Sequence, residues 1–378
     1  MKILFAGDLA PSGSDRAVFE NNSELLKKRG TFFRSYDYVL ANLEMPLIDA
    51  PSPIKKSGPV LSGTTKMVHG IRALGINGVT LANNHIRDHG NAGVLSTCAA
   101  LDRAGINRLG AGRNLEEASQ PLFLSYGDSK IAILSFAERE FSYATKDGAG
   151  ANPFDLPYVI RQLKSIPSDY FKIVVIHGGN EYFRYPYPAL RESLRLLTEL
   201  GAELIICHHS HCICASEIYE SHPIFYGLGN FIFTPLRKNM SEERANFWNN
   251  GLLVAVQIEN NRLISVEKIP IERDADTLFS IAQGDKRDQY LEKMEGYDKI
   301  LADEDAYKKE WNNFCMQLRQ RYAGALVGFR RIVFLFNKYT GLSLLRVLQS
   351  KDGLRCTENL LRCPAHHEVL KTIFDRDR

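Results

Sequence analysis

Short apolar runs alternate with helical patterns from residue 1 to about residue 270, and no other feature of the chain constrains its fold as much. Ile3–Ala6, Tyr38–Asn42, Gly78–Ala82, Ile131–Phe136, Lys172–Ile176 and Leu204–Cys207 are rich in Ile, Val and Leu, and each ends in a polar or glycine-bearing turn. Between them, Val94–Ala104 and Tyr187–Leu200 carry helical patterns, the latter with apolar residues at Leu190, Leu194, Leu197 and Leu200. Strand–helix–strand alternation predicts an α/β fold whose sheets are covered by helices. Pro223–Phe233 and Gly251–Ile258 read as two further strands, followed by Leu263–Ile269 in an antiparallel meander.

From about Thr277 no strand-like run appears. Gln289–Leu301, Asp305–Gly324 and Leu326–Lys338 read as helices, with Gly341 and Gly353 as punctuation. The expected organisation is a domain over 1–275 and a helical extension over 276–378, for which 378 residues suffice. A net charge of +3 is too small to argue for nucleic acid, and none is expected as a partner. The charge is uneven, however: from Arg319 to Arg378 there are 12 Lys and Arg against 5 Asp and Glu, so the rest of the chain is net acidic. Seven cysteines at irregular spacing do not describe a secreted disulfide scaffold. Cys207, Cys212 and Cys214 read as small apolar residues on buried strands in preference to a redox or metal role. MKILFAGD is too short for a signal peptide's apolar core, and no run approaches the roughly 20 apolar residues of a spanning helix, so the default expectation is cytoplasmic.

The strand ends carry a consistent polar set. The first strand runs into Gly7-Asp8, the second into Asn42-Leu43-Glu44 and the third into Asn83-Asn84-His85. The fifth ends in His177-Gly178-Gly179 and the sixth in His208-His209-Ser210-His211. Open α/β sheets place their ligands at this C-terminal edge. Singly, each feature has an ordinary explanation: a satisfied core histidine, a helix-capping Asp, an Asx turn. Together, one Asp, one Glu, an Asn and several His form a mixed oxygen and nitrogen donor set that suits Zn, Mn or Fe better than a soft thiolate site does.

In that order, GDLAP, ANLEMPL, TLANNHIRDHG, VIHGGNEY, ICHHSHCI and PIFYGLGNFIF resemble the calcineurin-like metallophosphoesterases, and more closely the CapA-like proteins of capsule and poly-γ-glutamate synthesis. The resemblance covers Met1 to about residue 270 and leaves out the extension. It implies a metallophosphoesterase-like four-layer α/β/β/α sandwich with two divalent ions, Mn, Fe or Zn, between its sheets. Asp8 stands at the family's first acidic ligand and Glu44 at its bridging carboxylate. Asn84, His177 and His209 correspond to ligands of the second metal, and His211 would face the first. His85 holds the place of a histidine that touches substrate and protonates a leaving group. Asp88 is placed to bond it and fix its tautomer. The nucleophile implied is a hydroxide bridging the two metals, so no side-chain nucleophile is required. Two departures stand out. Where phosphoesterases carry a His two residues after the first Asp, this chain has Ala10, which leaves the first metal one ligand short. Cys207-His208 replaces a more typical Gly-His pair.

Further candidates surround this set. Glu181 in HGGNEY is placed to orient a ligand histidine or bind substrate, with a solvent-facing role equally open. Asn230 in YGLGNFIF reads as pocket-lining. Lys55 and Lys56 precede SGP in a loop that reads as solvated or, at Lys56, as a contact for an anionic substrate. Ala323–Gln349 combines bulky apolar residues with Arg330, Arg331, Lys338 and Arg346. It reads as a helix packed on the catalytic domain or as a basic amphipathic segment on an anionic membrane surface. In the second case residues 319–378 would dock the protein peripherally near a polymer synthase. Cys356, Cys363, His366 and His367 have spacing atypical of structural zinc. The expected function is a metal-dependent hydrolase of a phosphoester or of an amide in an anionic polymer. The alternative is a non-catalytic accessory protein of a surface-polymer synthesis or export complex, with a degenerate metal site.

Overall fold

The computed structural model describes residues 1–234, 246–274, 278–327 and 351–376. Arg330, Arg331, Lys338 and Arg346 of the basic tail lie outside the described residues, as does most of the helix expected over Leu326–Lys338.

In the first sheet β1 (Lys2–Ala10), β2 (Tyr38–Leu43), β3 (Gly78–Thr80) and β4 (Asn107–Leu109) run parallel as successive neighbours. A two-stranded ribbon joins β5 (Ala111–Gly112) to β8 (Gly150–Ala151). The second sheet is built from β6 (Leu122–Tyr126), β7 (Ser129–Ala137), β9 (Phe171–His177), β10 (Leu204–His208), β11 (Ser216–Tyr219) and β12 (His222–Phe225), in the order β11-β12-β10-β9-β7-β6. The chain then returns to the first sheet through β13 (Asn230–Phe233), β14 (Asn250–Glu259), β15 (Arg262–Asp274) and β16 (Leu278–Ile281). β1 is shared along one edge: Lys2–Phe5 pair antiparallel with β14, and Asp8–Ala10 pair parallel with β13.

Side-chain alternation along these strands creates the layers. Ile3 and Phe5 of β1, Ile131 and Ile133 of β7, Ile173 and Val175 of β9, and Leu204 and Ile206 of β10 fill one core between the sheets. Leu4 and Ala6 face the opposite way, against Met67, Ile71, Val94 and Leu101 of the helices Met67–Leu74 and Gly90–Ala104. Val174 and Ile205 likewise pack on Val159, Leu163, Leu190 and Leu194 of Leu156–Ser165 and Pro188–Glu199. The result is the four-layer α/β/β/α sandwich that the resemblance implies.

Two strand readings need correction. Pro223–Phe233 is not one strand. Its halves belong to different sheets, and the chain crosses between them at Tyr226–Gly229, where Gly229 adopts a φ of 68°. Both halves are buried, so the apolar run conceals the break. Beyond Thr277, Leu278–Ile281 forms a strand paired antiparallel with β15, so the first sheet continues past residue 275.

The helices Gly284–Ala302, Glu304–Val327, Lys351–Arg362 and Pro364–Arg376 make up the described extension. Tyr307, Trp311, Cys363, Ala365 and Val369 join the core on the helical face of the second sheet. Asp298 ties the two sheets at their margin, accepting from Ser216 N at 2.6 Å and from Lys268 Nζ at 2.9 Å. No helix of the described residues is long and apolar enough to cross a membrane.

Candidate metal centre

The C-terminal ends of the parallel strands from both sheets meet in one buried cluster. Asp8 lies on β1, Glu44 one residue past β2, and Asn84 and His85 in the turn after β3. From the second sheet come His177 at the end of β9 and His208–His211 at and beyond the end of β10. All are buried, Asp8 and Glu44 completely. Two groups of three offer ligand atoms within 4.8 Å of one another, Asp8–Glu44–His211 and Glu44–His177–His209. Glu44 belongs to both. Its Oε1 lies 3.6 Å from His177 Nε2 and 3.9 Å from His211 Nε2, and neither of its oxygens has a hydrogen-bond partner. Asn84 Oδ1 is 3.0 Å from His177 Nε2, and His209 Nδ1 is 3.1 Å from the same nitrogen.

Several residues hold these groups in place. Asn42 Nδ2 donates to Asp8 Oδ1 at 2.7 Å and lies 3.2 Å from His177 Nδ1, while its Oδ1 accepts from Thr80 and Asn83. His209 and His211 have φ of 89° and 53°, a region costly for residues with a Cβ, so the turn after β10 is strained in delivering both rings to the cluster. Asn230, expected to line the pocket, sits behind His211: its Oδ1 is 3.0 Å from His211 Nδ1 and its Nδ2 donates to Trp248 O at 3.0 Å. His208 Nδ1 lies 3.3 Å from Asp8 Oδ1 but outside hydrogen-bonding geometry. Ala10 is buried with Leu9 in the core on the helical face of the first sheet and offers no donor atom.

Beside the cluster, His85 Nδ1 lies 2.7 Å from Asp88 Oδ2 and 3.1 Å from Lys56 Nζ. Lys56 forms a salt bridge with Asp88, and its side chain is only 2% exposed. The solvated-loop reading of Lys56 is therefore corrected: the ammonium is drawn inward because Asp88 is wholly buried and needs a counter-charge. Glu181 is exposed, on the loop after β9. Glu140, absent from the strand-end set, stands shortly after β7. Its Oε1 accepts from Asn84 Nδ2 at 3.4 Å and lies 3.9 Å from His209 Nε2.

Residues 2–235, which carry every member of this cluster, match the model of the bacterial capsule synthesis protein family PGA_cap. The chain belongs to this family. It is 29% identical over 212 residues to the capsule biosynthesis protein CapA of Bacillus anthracis, covering 53% of this chain and 52% of that protein. To the PGA biosynthesis protein CapA of Bacillus subtilis strain 168 it is 30% identical over 208 residues, covering 53% and 54% respectively. To a probable polyglutamine synthesis accessory protein of Mycobacterium tuberculosis H37Rv it is 29% identical over 167 residues, covering 40% and 44%. The chain spans about half the length of the curated relatives it matches.

In this PGA_cap protein the donor set fits a divalent cation. A buried carboxylate with two unpartnered oxygens among imidazoles lacks only a positive charge. Burial, reinforced by Asp8, pushes Glu44 well above the usual carboxylate range. Burial also works to raise Asp8, but the imidazoles of His208, His177 and His211 outweigh it and hold Asp8 low. Burial depresses His177 well below 6.5 and His209 to about 4. Neutral imidazole is the form that binds metal.

These shifts set a pH dependence for the metal-free fold. Between pH 6.5 and about 4 the unfolded chain protonates both imidazoles and the folded chain does not, so stability falls as pH falls. Glu44 acts in the opposite sense, because the folded chain keeps its proton above 4.5. Two imidazoles against one carboxylate leave these three groups with a net loss of stability on acidification. Chelator-treated protein should therefore show a urea midpoint that declines steadily from pH 6.5 to pH 5. A midpoint flat over that window contradicts the assignment of buried neutral histidines.

Proposed function

We propose that the chain is a metal-dependent hydrolase acting on an anionic polymer of the capsule or poly-γ-glutamate type, or on a phosphoester of that metabolism. The observation that carries this reading is Glu44, buried with both oxygens unpartnered and common to two three-residue groups. Asp8, Glu44 and His211 would hold one ion, and Glu44, His177, His209 and Asn84 the other. Bound there, two divalent ions would supply Lewis acidity and a water deprotonated near neutrality. Asn42 and Asn230 fix the orientation of Asp8, His177 and His211 through their side-chain amides. His85 has Nδ1 turned to Asp88, which leaves Nε2 to pass a proton to the leaving group. His85 and then Lys56 offset the burial of Asp88 and hold its carboxyl low. The basic surplus of residues 319–378 would suit contact with an anionic membrane surface or a polymer synthase.

A second reading, a non-catalytic accessory of a polymer synthase or export complex, is favoured by Ala10, which gives the first group no further donor. Metal content and hydrolysis of a phosphodiester and of poly-γ-glutamate, for the natural chain and His85→Ala, separate the two. His85→Ala should keep its metal and lose turnover by about 100-fold or more. Tightly held metal with no turnover on either substrate leaves the accessory reading. No metal after reconstitution with Mn, Fe or Zn overturns the ligand assignment.

A further inference from the structure

The extension lies outside residues 2–235, yet it touches two loops that carry candidate site residues. On one side Cys356 Sγ lies 3.4 Å from Ser57 Oγ, the residue after Lys56. On the other, Asn180 Nδ2 donates to Ala365 O at 3.5 Å, and Asn180 immediately precedes Glu181. Asn180 is 3% exposed, and its Oδ1 has no hydrogen-bond partner. The helix Glu304–Val327 braces the same loop: Phe314 stacks on Phe183 at 4.4 Å, and Tyr307 donates to Pro186 O at 2.9 Å. Next to Ala365 stands His366, half-buried, with Nδ1 2.7 Å from the Tyr322 hydroxyl and the two rings edge to face at 5.6 Å. That pair sets the plane of the imidazole.

We infer that the carboxyl-terminal extension forms a wall of the substrate cleft, and that His366 is a specificity-determining residue that contacts an oxygen of an anionic polymer at a unit next to the one being cleaved. The inference rests on the polymer reading of the site and deepens it. A small phosphoester fills only the space over the ligand cluster, whereas an extended chain must pass between the loop bearing Lys56 and Ser57 and the loop bearing Asn180 and Glu181. Both loops are touched by the extension, so a polymer lying between them comes up against His366, the half-buried residue after the Ala365 carbonyl that Asn180 bonds.

The test uses the full chain loaded with diamagnetic Zn, titrated with inorganic phosphate and with a γ-linked glutamate octamer. In His366→Ala, octamer affinity should fall by about fivefold or more, the worth of one lost hydrogen bond, while phosphate affinity stays within about twofold of the natural chain's. The His366 ring resonances, assigned by their absence from the variant, should move with octamer and not with phosphate. If His366→Ala fails to fold by circular dichroism, Tyr322→Phe, which frees the ring, and the resonance shift in the natural chain carry the test. Equal octamer affinity in the natural and variant chains, or resonances unmoved at saturation, overturns the wall and leaves the hydrolase reading standing. Phosphate binding without octamer binding by the natural chain overturns the polymer substrate, and the wall with it.

Discussion

Glu44→Gln is expected to empty the candidate metal centre while making the metal-free fold more stable. The two effects share one cause. Glu44 is completely buried, its oxygens have no partners, and the Asp8 carboxylate nearby adds like-charge repulsion to the cost of burial. In the metal-free chain this is a strained arrangement, and an amide of the same shape relieves the charge. At a pH above the raised pKa of Glu44, relief of the buried charge should raise the urea midpoint of the metal-free chain. The same change removes the only carboxylate common to both three-residue groups. Losing an outer partner of a ligand costs roughly 10–100-fold in affinity, and losing a shared ligand should exceed that at both positions. Metal retained after dialysis should fall from about two ions per chain to below one, with turnover undetectable. Elemental analysis and urea unfolding on the same sample read both effects. Full retention of metal would falsify the bridging role.

Gly7→Ala should be a strongly damaging single methyl in the first sheet. A Cβ there would lie 2.0 Å from Gly229 O and 3.0 Å from Gly229 C. Neither segment can yield, because Asp8 N donates to that same carbonyl at 3.1 Å and Asp8 pairs with Asn230 in the β1–β13 register. The clash is between backbone atoms in a closely packed interior, so the cost should be about 3 kcal/mol or more. Because Asp8 is the next residue and Asn230 holds His211, the displacement also reaches the ligands. A urea midpoint within error of the natural chain's would show that the two backbones have room to part.

The α/β character and most of the site were legible because each strand carries its chemistry at its C-terminal end, which is local in sequence. Asp8, Glu44, Asn84, His177, His209 and His211 all stand within a few residues of the end of an apolar run. Glu140 obeys the same rule at the end of Ile131–Phe136, but Ala137-Glu138-Arg139-Glu140 has the look of an ordinary charged turn. Asn42 was visible in the motif ANLEMPL, but its role as the hub between Asp8 and His177 depends on the pairing of two sheets. The burial of Lys56 was not legible. A lysine in a loop of Ser, Pro and Gly reads as solvated, and only the place of Asp88 in three dimensions draws it inward. The break at Tyr226–Gly229 was masked because both of its flanks are core.

That crossing has a mechanical consequence. Each group of three takes ligands from both sheets, so its spacing depends on how far the sheets can slide over one another. Tyr226–Gly229 is a four-residue tether joining β12 of one sheet to β13 of the other, and β13 lies against Asp8 itself. The tether fixes the spacing of the two ligand-bearing edges next to the cluster. With Asp298 and the Lys130 N–Asn261 Oδ1 bond clamping the margins, the sandwich is pinned both beside the ligand set and away from it.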